Sequence, residues 1–424
     1  MRILIIAERY WPEVGAAPSR LANMAEGLKL EGAEVDMLTG FPNYPKGKIF
    51  EGYKGRISMK ENVRGINVFR YWMYATVSRA PTARLLCMFS LAFTLWGFVF
   101  KRKRILSYDL VIIQTPTLVV ASSAMILFKK LYHRKCVLNV SDIWPITALD
   151  MGVLAKKSWS YKFLALLERF LYRNAIGFMG QSEEILNHIA QEIGTNGRSN
   201  DTTQKDTDDI LNSKKWTENK RLFLYRNLQY YKEAEPHQKK AHTLKIVFSG
   251  MLGVAQDVYG IVQHVNFKDL GVEFHIIGGG KQFDEIDEWC KTHPDSNVYT
   301  YGFVPKTEIP SKLKNMDASI VPLVSRIRGA VPSKIYDILP QGIPIIFCGG
   351  GEAANFVQRN NIGFSCPPND YNTLTQHIIR LRDISAESYE DLSKNCICVS
   401  KDQLDFKDQM NKCYSFLSTI SGWR

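Results

Sequence analysis

The sequence has little of what metal centres and disulfide-linked folds require. Its eight cysteines are scattered along the chain without a C-x-x-C pair, and it has only eight histidines. This pattern fits neither a disulfide framework nor a zinc site. We therefore expect a protein of a reducing cytoplasm that holds no structural metal ion.

The motifs of common hydrolases are missing as well. The chain contains no G-x-S-x-G nucleophile elbow, no H-E-x-x-H helix and no Cys/His cluster with metal-ligand spacing. Histidine is scarce where a general base would be needed, because the first half of the chain has only His133 and His188. These absences favour a chemistry that uses neither a metal ion nor a cofactor.

Long hydrophobic runs are also scarce. The amino-terminal run, residues 3–7, is too short for the apolar core of a signal peptide. Residues 85–100 are uncharged and are followed by the basic run 101–104. As a helix, these 16 residues reach about 24 Å, less than the ~30 Å hydrocarbon core of a membrane. Two interpretations stay open: a buried core helix, and an interfacial helix whose basic end contacts anionic lipid headgroups.

What remains is an ordinary globular composition in a basic chain. Hydrophobic residues make up 45% of the chain and charged residues 23%, which excludes wholesale disorder, collagen and coiled coil. The length of 424 residues indicates two or three domains. Lys and Arg number 54 against 42 Asp and Glu, for a net charge of +12. The basic residues are spread along the chain without a recognition motif, so we expect no nucleic-acid partner.

Short β-rich runs alternate with stretches of helical length, which is typical of parallel, doubly wound sheets. A polar stretch at 192–222, read as a surface insertion or loop, separates two series of such runs. The predicted strands are 3–7, 35–39, 110–114, 136–140 and 176–180, then 244–248, 272–277, 298–301, 318–322 and 343–348.

We therefore predict the α/β class, with two doubly wound Rossmann-like domains that face each other across a cleft. The predicted domains are residues 1–228 and 229–400. Residues 401–424 are predicted to form a carboxy-terminal helix that packs back on the first domain. In such sheets, ligands bind beyond the carboxyl ends of the strands.

The strongest local motif lies in residues 328–354. Ser333 is near the start of a predicted helix, and Lys334 and Asp337 are three residues apart on one face. A lysine at a helix N-terminus is unfavourable unless an anion binds there. The motif therefore indicates a phosphate at Lys334, with Asp337 able to accept hydrogen bonds from ribose hydroxyls. A solvated Lys–Asp pair is the alternative.

Three glycine-containing turns follow predicted strands. Residues 11–20 join the first strand to the first helix, and the small residues 15–17 let a ligand approach the backbone. Similar turns follow at 249–253 and 278–281. None matches G-x-G-x-x-G or carries the P-loop lysine, so an ordinary glycine turn is the alternative at each.

Asp142 follows the predicted strand 136–140 at its carboxyl end. A carboxylate there can orient or deprotonate a substrate hydroxyl if its environment raises its pKa. The alternative is a structural one, in which Asp142 is the N-cap of the next helix.

Seven segments of the chain, taken in order, resemble the motifs of glycosyltransferase family 4, which has the two-lobed GT-B fold. No segment is specific by itself, but their order and spacing are. More narrowly, the chain looks like the bacterial branch that makes O-antigen and capsule, which includes N-acetyl-fucosamine transferases. The segments are 7–15 with Arg20, 41–47, 141–145, 248–253, 301–305, 331–337 and 351–354.

The resemblance implies that the first domain binds the acceptor and the second domain binds the nucleotide sugar. Within the donor site it assigns Gly15 to the pyrophosphate, the Val304 backbone to the nucleobase, Lys334 to phosphate and Asp337 to ribose. The implied donor contacts are Gly15, Gly253, Gln256, Val304, Ser333, Lys334 and Asp337, the implied acceptor contacts are Arg20, Asn43 and Trp144, and the implied catalytic residue is Asp142.

Two positions depart from the family pattern. The wider family carries an E-x7-E pair, but here Gly329 stands at the first position and Asp337 at the second. Residues 255–257, Ala-Gln-Asp, stand where basic residues are usual.

The resemblance further implies retaining transfer of a hexose or N-acetylated deoxyhexose from a UDP-sugar. The implied acceptor is a polyprenyl-diphosphate-linked glycan at the inner face of the bacterial membrane. In retaining GT-B enzymes the leaving phosphate receives the acceptor proton, so Asp142 would orient the acceptor hydroxyl and Lys334 would stabilise the diphosphate. Two alternatives stay open. A catalytically silent GT-B subunit of a polysaccharide complex would explain Gly329, whereas a GT-B sugar-nucleotide 2-epimerase would need histidines that the first half lacks.

Overall fold

The computed structural model describes residues 1–78, 80–194, 221–230, 236, 243–305 and 308–423. The chain forms two compact units. The first consists of Met1–Asn227 and Phe406–Arg424, and the second of Leu228–Asp405. Residues 195–220, most of the polar stretch expected to be an insertion or loop, lie outside the described residues.

The first unit is built on an eight-stranded sheet with apolar central strands. Its strands are β1 Arg2–Ile6, β2 Glu34–Gly40, β3 Ser58–Val63, β4 Ile66–Tyr71, β5 Leu110–Thr115, β6 Cys136–Val140, β7 Gly177–Gly180 and β8 Leu222–Leu224. The sheet order is β3-β4-β2-β1-β5-β6-β7-β8, and every pair except β3–β4 is parallel. Because helices cover both faces of such a sheet, its inner strands are buried on both sides.

The helices of the first unit, in chain order, follow the strands closely. They are α1 Ala16–Leu30, α2 Pro81–Thr94, α3 Arg102–Leu106, α4 Leu118–Met125, α5 Ile146–Asp150, α6 Trp159–Asn174 and α7 Glu183–Gly194, with a 3₁₀ helix at Leu95–Lys101 and a π-helix at Ile126–Leu131.

The second unit has a six-stranded sheet, and all its strand pairs are parallel. Its strands are β9 Lys245–Ser249, β10 Glu273–Ile277, β11 Val298–Thr300, β12 Ala318–Pro322, β13 Ile345–Cys348 and β14 Gly363–Cys366, in the order β11-β10-β9-β12-β13-β14. Its helices are α8 Val258–His264, α9 Phe283–Thr292, α10 Ile309–Leu313, α11 Lys334–Ile338, α12 Glu352–Arg359, α13 Tyr371–Asp383 and α14 Ala386–Gln403. The prediction of two doubly wound α/β domains is thereby confirmed.

The sequence patterns missed the hairpin formed by β3 and β4. Its turn is Arg64-Gly65, and both residues have positive φ, 52° and 79°. Such a turn suits a two-residue hairpin, but Asn-Gly or Asp-Gly is its usual sequence signal. Arg70 on β4 is fully buried and donates to the Glu61 carboxylate and to the Trp11 carbonyl. The hairpin therefore supports the loop that follows β1.

The last helix of the chain, α15 Phe406–Ser421, belongs to the first unit. It contacts α1, where Gly27 leaves room for Met410: a Cβ at Gly27 would lie 2.6 Å from Met410 Cγ. Met410, Cys413 and Leu417 are buried in the same apolar cluster as β1 and α1. Burial of this apolar face is what holds the helix on the first unit.

The apolar run that follows the hairpin is not a single regular helix. After α2 ends at Thr94, the 3₁₀ helix continues into α3, so the helical stretch reaches Leu106. Over Leu85–Leu106 this stretch has 22 residues and is long and apolar enough to cross a membrane by length and composition. The helical stretch is thus longer than the 16 uncharged residues from which its length was estimated. One side of the stretch packs into the core of the first unit through Leu91, Leu95, Phe98 and Ile105.

Candidate functional site

Polar side chains meet where β5, β6 and β7 end. Gln114 donates through Nε2 to the Ser141 hydroxyl at 2.9 Å and accepts through Oε1 from Asn139 at 2.7 Å. Gln181 donates through Nε2 to the Ser141 carbonyl at 2.5 Å. Because carboxyl ends of parallel strands meet at one edge of the sheet, these residues form one network on the ligand-binding edge.

Arg20 of α1 reaches this network with a buried guanidinium. Its residue is 5% exposed, and its Nη1 donates to Gln181 Oε1 at 2.5 Å. Within the described residues, its Nε and Nη2 have no hydrogen-bond partner. Burial lowers the pKa of Arg20, and Asp142 opposes that shift. Arg20 is therefore a desolvated cation whose hydrogen-bonding capacity is only partly used, an unusual state for a purely structural arginine.

Asp142 stands between Ser141 and α5. The capping alternative is not what the structure has, because α5 begins at Ile146 with Pro145 at its N-cap and no side-chain capping bond. Asp142 therefore lies at the end of a strand and does not cap a helix. Burial raises the pKa of its carboxyl group, and the Arg20 charge and the Ser141 hydroxyl lower it.

The loop after β1 and the loop after β2 are tied together by Glu13. Its buried carboxylate accepts from the backbone amides of Asn43 at 2.9 Å and Tyr44 at 2.8 Å. Asn43 donates through Nδ2 to the Phe41 carbonyl and to the Met73 sulfur. Only the Asn43 amide oxygen could therefore contact a ligand. Gly15 is the N-cap of α1 beside these loops, with the Tyr44 ring 4.0 Å from where its Cβ would be.

Trp144, the third residue expected to bind the acceptor, is half-buried. It packs against the apolar core of the first unit and lies two residues after Asp142. The structure therefore brings Arg20 and Asp142 together around Gln181, and it groups Asn43 with Gly15 in the neighbouring loops.

In the second unit, Lys334 is the first residue of α11 and lies against the end of β9. Its Nζ is 4.0 Å from the centroid of the Phe248 ring. A Cβ at Gly250 would lie 2.2 Å from Lys334 Cε, and the φ of 146° at Gly250 is one that other residues rarely adopt. Within the described residues, no ion pair or hydrogen bond to Lys334 is seen, and burial lowers its pKa to about 7.

Asp337 lies one turn after Lys334 and raises its pKa. It accepts a hydrogen bond from Gln229 Nε2 at 3.1 Å. Ser333 is at the N-cap of α11, but its side chain makes no capping hydrogen bond. Because α11 has only five residues, the helix-dipole argument for an anion at Lys334 is weak. The burial of Lys334 against an aromatic ring is the stronger argument.

The two glycine turns of the second unit pack backbone against backbone. Gly250 N donates to the Ile277 carbonyl at 2.8 Å, and Leu252 N donates to Gly279 at 2.9 Å. Gly278 has φ of 141°, and any Cβ there would collide with the Gly250 carbonyl oxygen. The close approach of the two turns therefore explains this glycine without a ligand.

Gln256 and Asp257 have different tasks in the turn that follows. The Gln256 amide donates to the Gly253 carbonyl at 3.0 Å, and its side chain lines a small recess together with Asp257 and Tyr371. Asp257 has φ of 44°, caps α8 through Gly260 N, and accepts from Gln282 Nε2 at 2.8 Å. Asp257 therefore has a structural task where the family has basic residues.

Val304 lies in the segment that follows β11. It is half-buried and comes two residues after Gly302, whose carbonyl accepts from Gly278 N at 2.8 Å. The segment is thereby attached to the second glycine turn. Phe303, between them, is 75% exposed and covers Gly279.

The sequence analysis did not identify Gln181, Phe248 or Glu13 as site residues. Gln181 follows a predicted strand exactly as Asp142 does, so its position was a usable signal. Phe248 was assigned to a strand, and nothing local indicated that its ring faces a lysine 86 residues later. Among the described residues, no group of three or more His, Cys, Asp or Glu side chains could hold a metal ion.

The two doubly wound units define a protein of the GT-B type, and solved structures agree. HepE from Anabaena in complex with UDP matches with a TM-score of 0.63 at 15% identity, over 99% of this chain and 100% of that chain. WaaG, a glycosyltransferase involved in lipopolysaccharide biosynthesis, matches with a TM-score of 0.60 at 12% identity, over 99% of this chain and 100% of that chain. At such identities the likeness shows the fold alone.

The sequence families identify the class of enzyme more closely. The "Glycosyl transferase 4-like domain" matches residues 15–199, and "Glycosyl transferases group 1" matches residues 230–397. The chain belongs to the glycosyltransferases that combine these two domains.

Two curated relatives are also similar. Glycosyltransferase WbjE of Pseudomonas aeruginosa is 25% identical over 260 residues, which are 60% of this chain and 61% of that protein. A protein of Escherichia coli K12 named as colanic acid biosynthesis glycosyl transferase WcaI is 25% identical over 362 residues, which are 81% of this chain and 82% of that protein. The likeness supports the glycosyltransferase family, and it does not single out N-acetyl-fucosamine transfer.

Proposed function

We propose that this glycosyltransferase is a retaining enzyme of cell-surface polysaccharide biosynthesis. It transfers a hexose or N-acetylated deoxyhexose from a UDP-sugar to a polyprenyl-diphosphate-linked glycan on the cytoplasmic side of the membrane. The name of the relative WcaI, from colanic acid biosynthesis, supports the pathway, and the UDP bound to HepE supports the nucleotide.

Lys334 carries the donor side of this proposal. A lysine that is buried against Phe248, with a pKa lowered to about 7, gains a favourable partner when a phosphate binds beside it. The role proposed for Lys334 is to bind the donor diphosphate and stabilise the charge that grows on it as the glycosidic bond breaks. Asp337 accepts hydrogen bonds from the ribose hydroxyls.

The remaining donor contacts are proposed for the backbone or side chains of five residues. Gly15 and Gly253 allow the backbone to approach the diphosphate, Gln256 and Ser333 donate to phosphate oxygens, and the Val304 backbone binds the nucleobase. The small recess lined by Gln256 and the position of Ser333 beside Lys334 support these two assignments.

Asp142 carries the acceptor side. In a retaining transfer the leaving phosphate takes the acceptor proton, so no strong protein base is required. The Asp142 carboxylate accepts a hydrogen bond from the attacking hydroxyl and orients it, while Arg20, Asn43 and Trp144 contact the acceptor around it. Burial raises the pKa of Asp142, and the Arg20 charge opposes that rise.

The glycine at the first E-x7-E position has a local cause. Gly329 has φ of 77°, a backbone conformation that is costly for a glutamate. The proposed mechanism assigns no role to a carboxylate at this position.

The proposal includes docking of the first unit on an anionic membrane. The outer side of the α2–α3 stretch is strongly exposed, with Phe93 at 80% and Phe100 at 90%. Leu85, Leu86 and Phe89 are exposed on the same stretch, and Lys101, Arg102 and Lys103 follow as exposed cations. An apolar face beside a basic end matches the charge of a membrane rich in anionic lipid.

Arg104 has no part in this docking surface. Its Nε and Nη2 donate to the Asp36 carboxylate at 2.9 and 3.0 Å. Arg104, the fourth residue of the basic run, therefore forms an ion pair within the protein. A lipid-linked acceptor would meet the first unit on this side of the molecule.

A thermal-shift screen of nucleotide sugars, followed by an assay of UDP release, tests the function. We expect UDP-sugars to raise the melting temperature by mass action, and we expect UDP release to depend on a polyprenyl-diphosphate-linked acceptor. Lys334→Met should lose the thermal shift, whereas Lys291→Met, at an exposed position, should keep it. Binding without transfer would favour the silent-subunit alternative. Absence of any shift with any nucleotide sugar would contradict the proposal.

A further inference from the structure

Gln181 is the residue that joins Arg20 to the loop of Asp142. Its Oε1 accepts from Arg20 Nη1 at 2.5 Å, and its Nε2 donates to the Ser141 carbonyl at 2.5 Å. Its backbone amide donates to the Val140 carbonyl at 3.4 Å, at the end of β6. One side chain therefore connects α1 with the strand end that carries Asp142.

The bond to Gln181 is the one side-chain hydrogen bond of the Arg20 guanidinium among the described residues. Arg20 is 5% exposed, and its Nε and Nη2 have no partner there. A buried cation that a single side chain holds depends on that side chain for its position. Loss of Gln181 would leave the guanidinium free to move toward water or toward another acceptor.

The groups that act on Asp142 come from few elements. Arg20 from α1 supplies the charge, the Ser141 hydroxyl lies on the same loop, and burial opposes both. Tyr225, which follows β8, acts on Arg20 and is itself buried. Arg20 is therefore the charged side chain to which the protonation of Asp142 responds.

We propose that Gln181 is a positioning residue, which holds the Arg20 guanidinium at the strand end that carries Asp142. Gln181 touches neither the donor nor the acceptor in this role. Its contribution goes through Arg20, and Asp142 is the group whose state it changes. This inference rests on the proposed function in the kcat–pH measurement and is independent of it in the NMR measurement of the Asp142 pKa.

Gln181→Met keeps the volume and removes both hydrogen bonds. We expect the acid limb of the kcat–pH profile to move upward by about one pH unit, because the opposite charge that lowers the pKa of Asp142 is displaced. Gln181→Glu keeps an acceptor for Arg20 but adds a negative charge, so it should move the limb further in the same direction. If Gln181→Met does not fold, Gln181→Leu, which also lacks both hydrogen-bonding groups, carries the test.

The matched control is Gln409→Met. Gln409 is another glutamine of the first unit, and it makes two hydrogen bonds, to the Arg226 amide at 2.9 Å and the Arg226 carbonyl at 3.0 Å. Its replacement should lower the melting temperature without moving the acid limb. Equal profiles for the Gln181 and Gln409 variants would overturn the proposal and leave Gln181 a structural residue.

A second readout does not need activity. A ¹³C NMR titration of the Asp142 carboxyl, assigned by its loss in Asp142→Asn, measures the pKa directly. We expect a higher pKa in Gln181→Met than in the wild type and in Gln409→Met. An unchanged pKa would contradict the positioning role. An inactive wild type with the expected NMR shift would contradict the proposed function alone.

Discussion

Each unit holds a cation near a carboxylate, Arg20 buried and Lys334 half-buried, but the two cations are held differently. Arg20 is held by a hydrogen bond to Gln181 at the ends of β6 and β7. Lys334 makes no such bond among the described residues, and its ammonium lies over the Phe248 ring. The first cation is embedded in a polar network, and the second rests on an apolar surface.

The chemistry of the two side chains makes this difference consequential. A guanidinium remains protonated even when burial lowers its pKa, so Arg20 is a permanent charge at physiological pH. An ammonium with a pKa of about 7 can gain or lose its proton there. The first unit thus keeps a constant charge near Asp142, and the second has a charge that depends on pH.

Replacing Asp142 is the test of this comparison between the two cations for which we expect the largest effect. Asp142→Asn keeps the shape and removes the charge on which Arg20 acts, so kcat should fall by about 100-fold or more if the carboxylate orients the acceptor. Donor KM should change little, since the donor contacts are proposed for other residues. Steady-state kinetics per folded molecule measure both values. A lower melting temperature with unchanged kcat would show that Asp142 is structural.

The proposed docking surface lies on the first unit, and its loss should leave the second unit unaffected. Changing Lys101, Arg102 and Lys103 to Gln removes about 3 kcal/mol of attraction, or about 100-fold in binding to anionic vesicles. Arg104 stays, because it pairs with Asp36. Vesicle co-sedimentation at low and high salt measures the effect.

A control with the same change in net charge alters Lys268, Lys291 and Lys394, which are exposed on the second unit. It should bind vesicles as the wild type does. Equal loss in both variants would mean that net charge, not the docking surface, causes binding.

Replacing Lys334 tests the donor site of the second unit. Lys334→Met removes a charge-assisted contact worth roughly 1.5–3 kcal/mol, so the donor Kd should rise by about 10- to 100-fold. Acceptor KM should be unaffected. Isothermal titration with UDP measures the donor Kd, and Lys291→Met is the surface control. A wild-type donor Kd in Lys334→Met would remove Lys334 from the donor site.

The smallest effect that we expect is a pH dependence of donor binding. Burial lowers the pKa of Lys334 to about 7, and a bound phosphate raises it again. Above pH 7 the free protein loses the charge, so donor binding takes up a proton and weakens as pH rises. We expect the Kd for UDP to increase by about fivefold between pH 7 and pH 8. In Lys334→Met this slope should vanish, and a slope that persists would assign it to another group.

The elements that the sequence predicted well are those whose signals are local. The strands Cys136–Val140 and Ala318–Pro322 were predicted at their exact bounds, because each is a short apolar run between turn residues. The hairpin of β3 and β4 was missed, since β3 is mostly polar and its turn is Arg-Gly. The helical extent of the apolar run was also misjudged, because charged residues 101–104 continue the helix instead of ending it.

The candidate site divides in the same way. Lys334, Asp337 and Asp142 were recognisable because each stands at a strand end or helix start within its own segment. Gln181 follows a strand too, but its importance depends on Arg20, 161 residues away. Arg104 was grouped with the free cations of its run, and only the fold pairs it with Asp36, 68 residues earlier.

The sequence by itself determined the two parallel sheets and the glycosyltransferase class, because apolar periodicity and motif order are properties of neighbouring residues. The tertiary structure decided which charges have partners. Packing brings Gln181 to Arg20 and places Phe248 beneath Lys334, and these contacts set how much water each cation loses. Desolvation depends on everything that surrounds a group in space, and no local stretch of sequence contains that information.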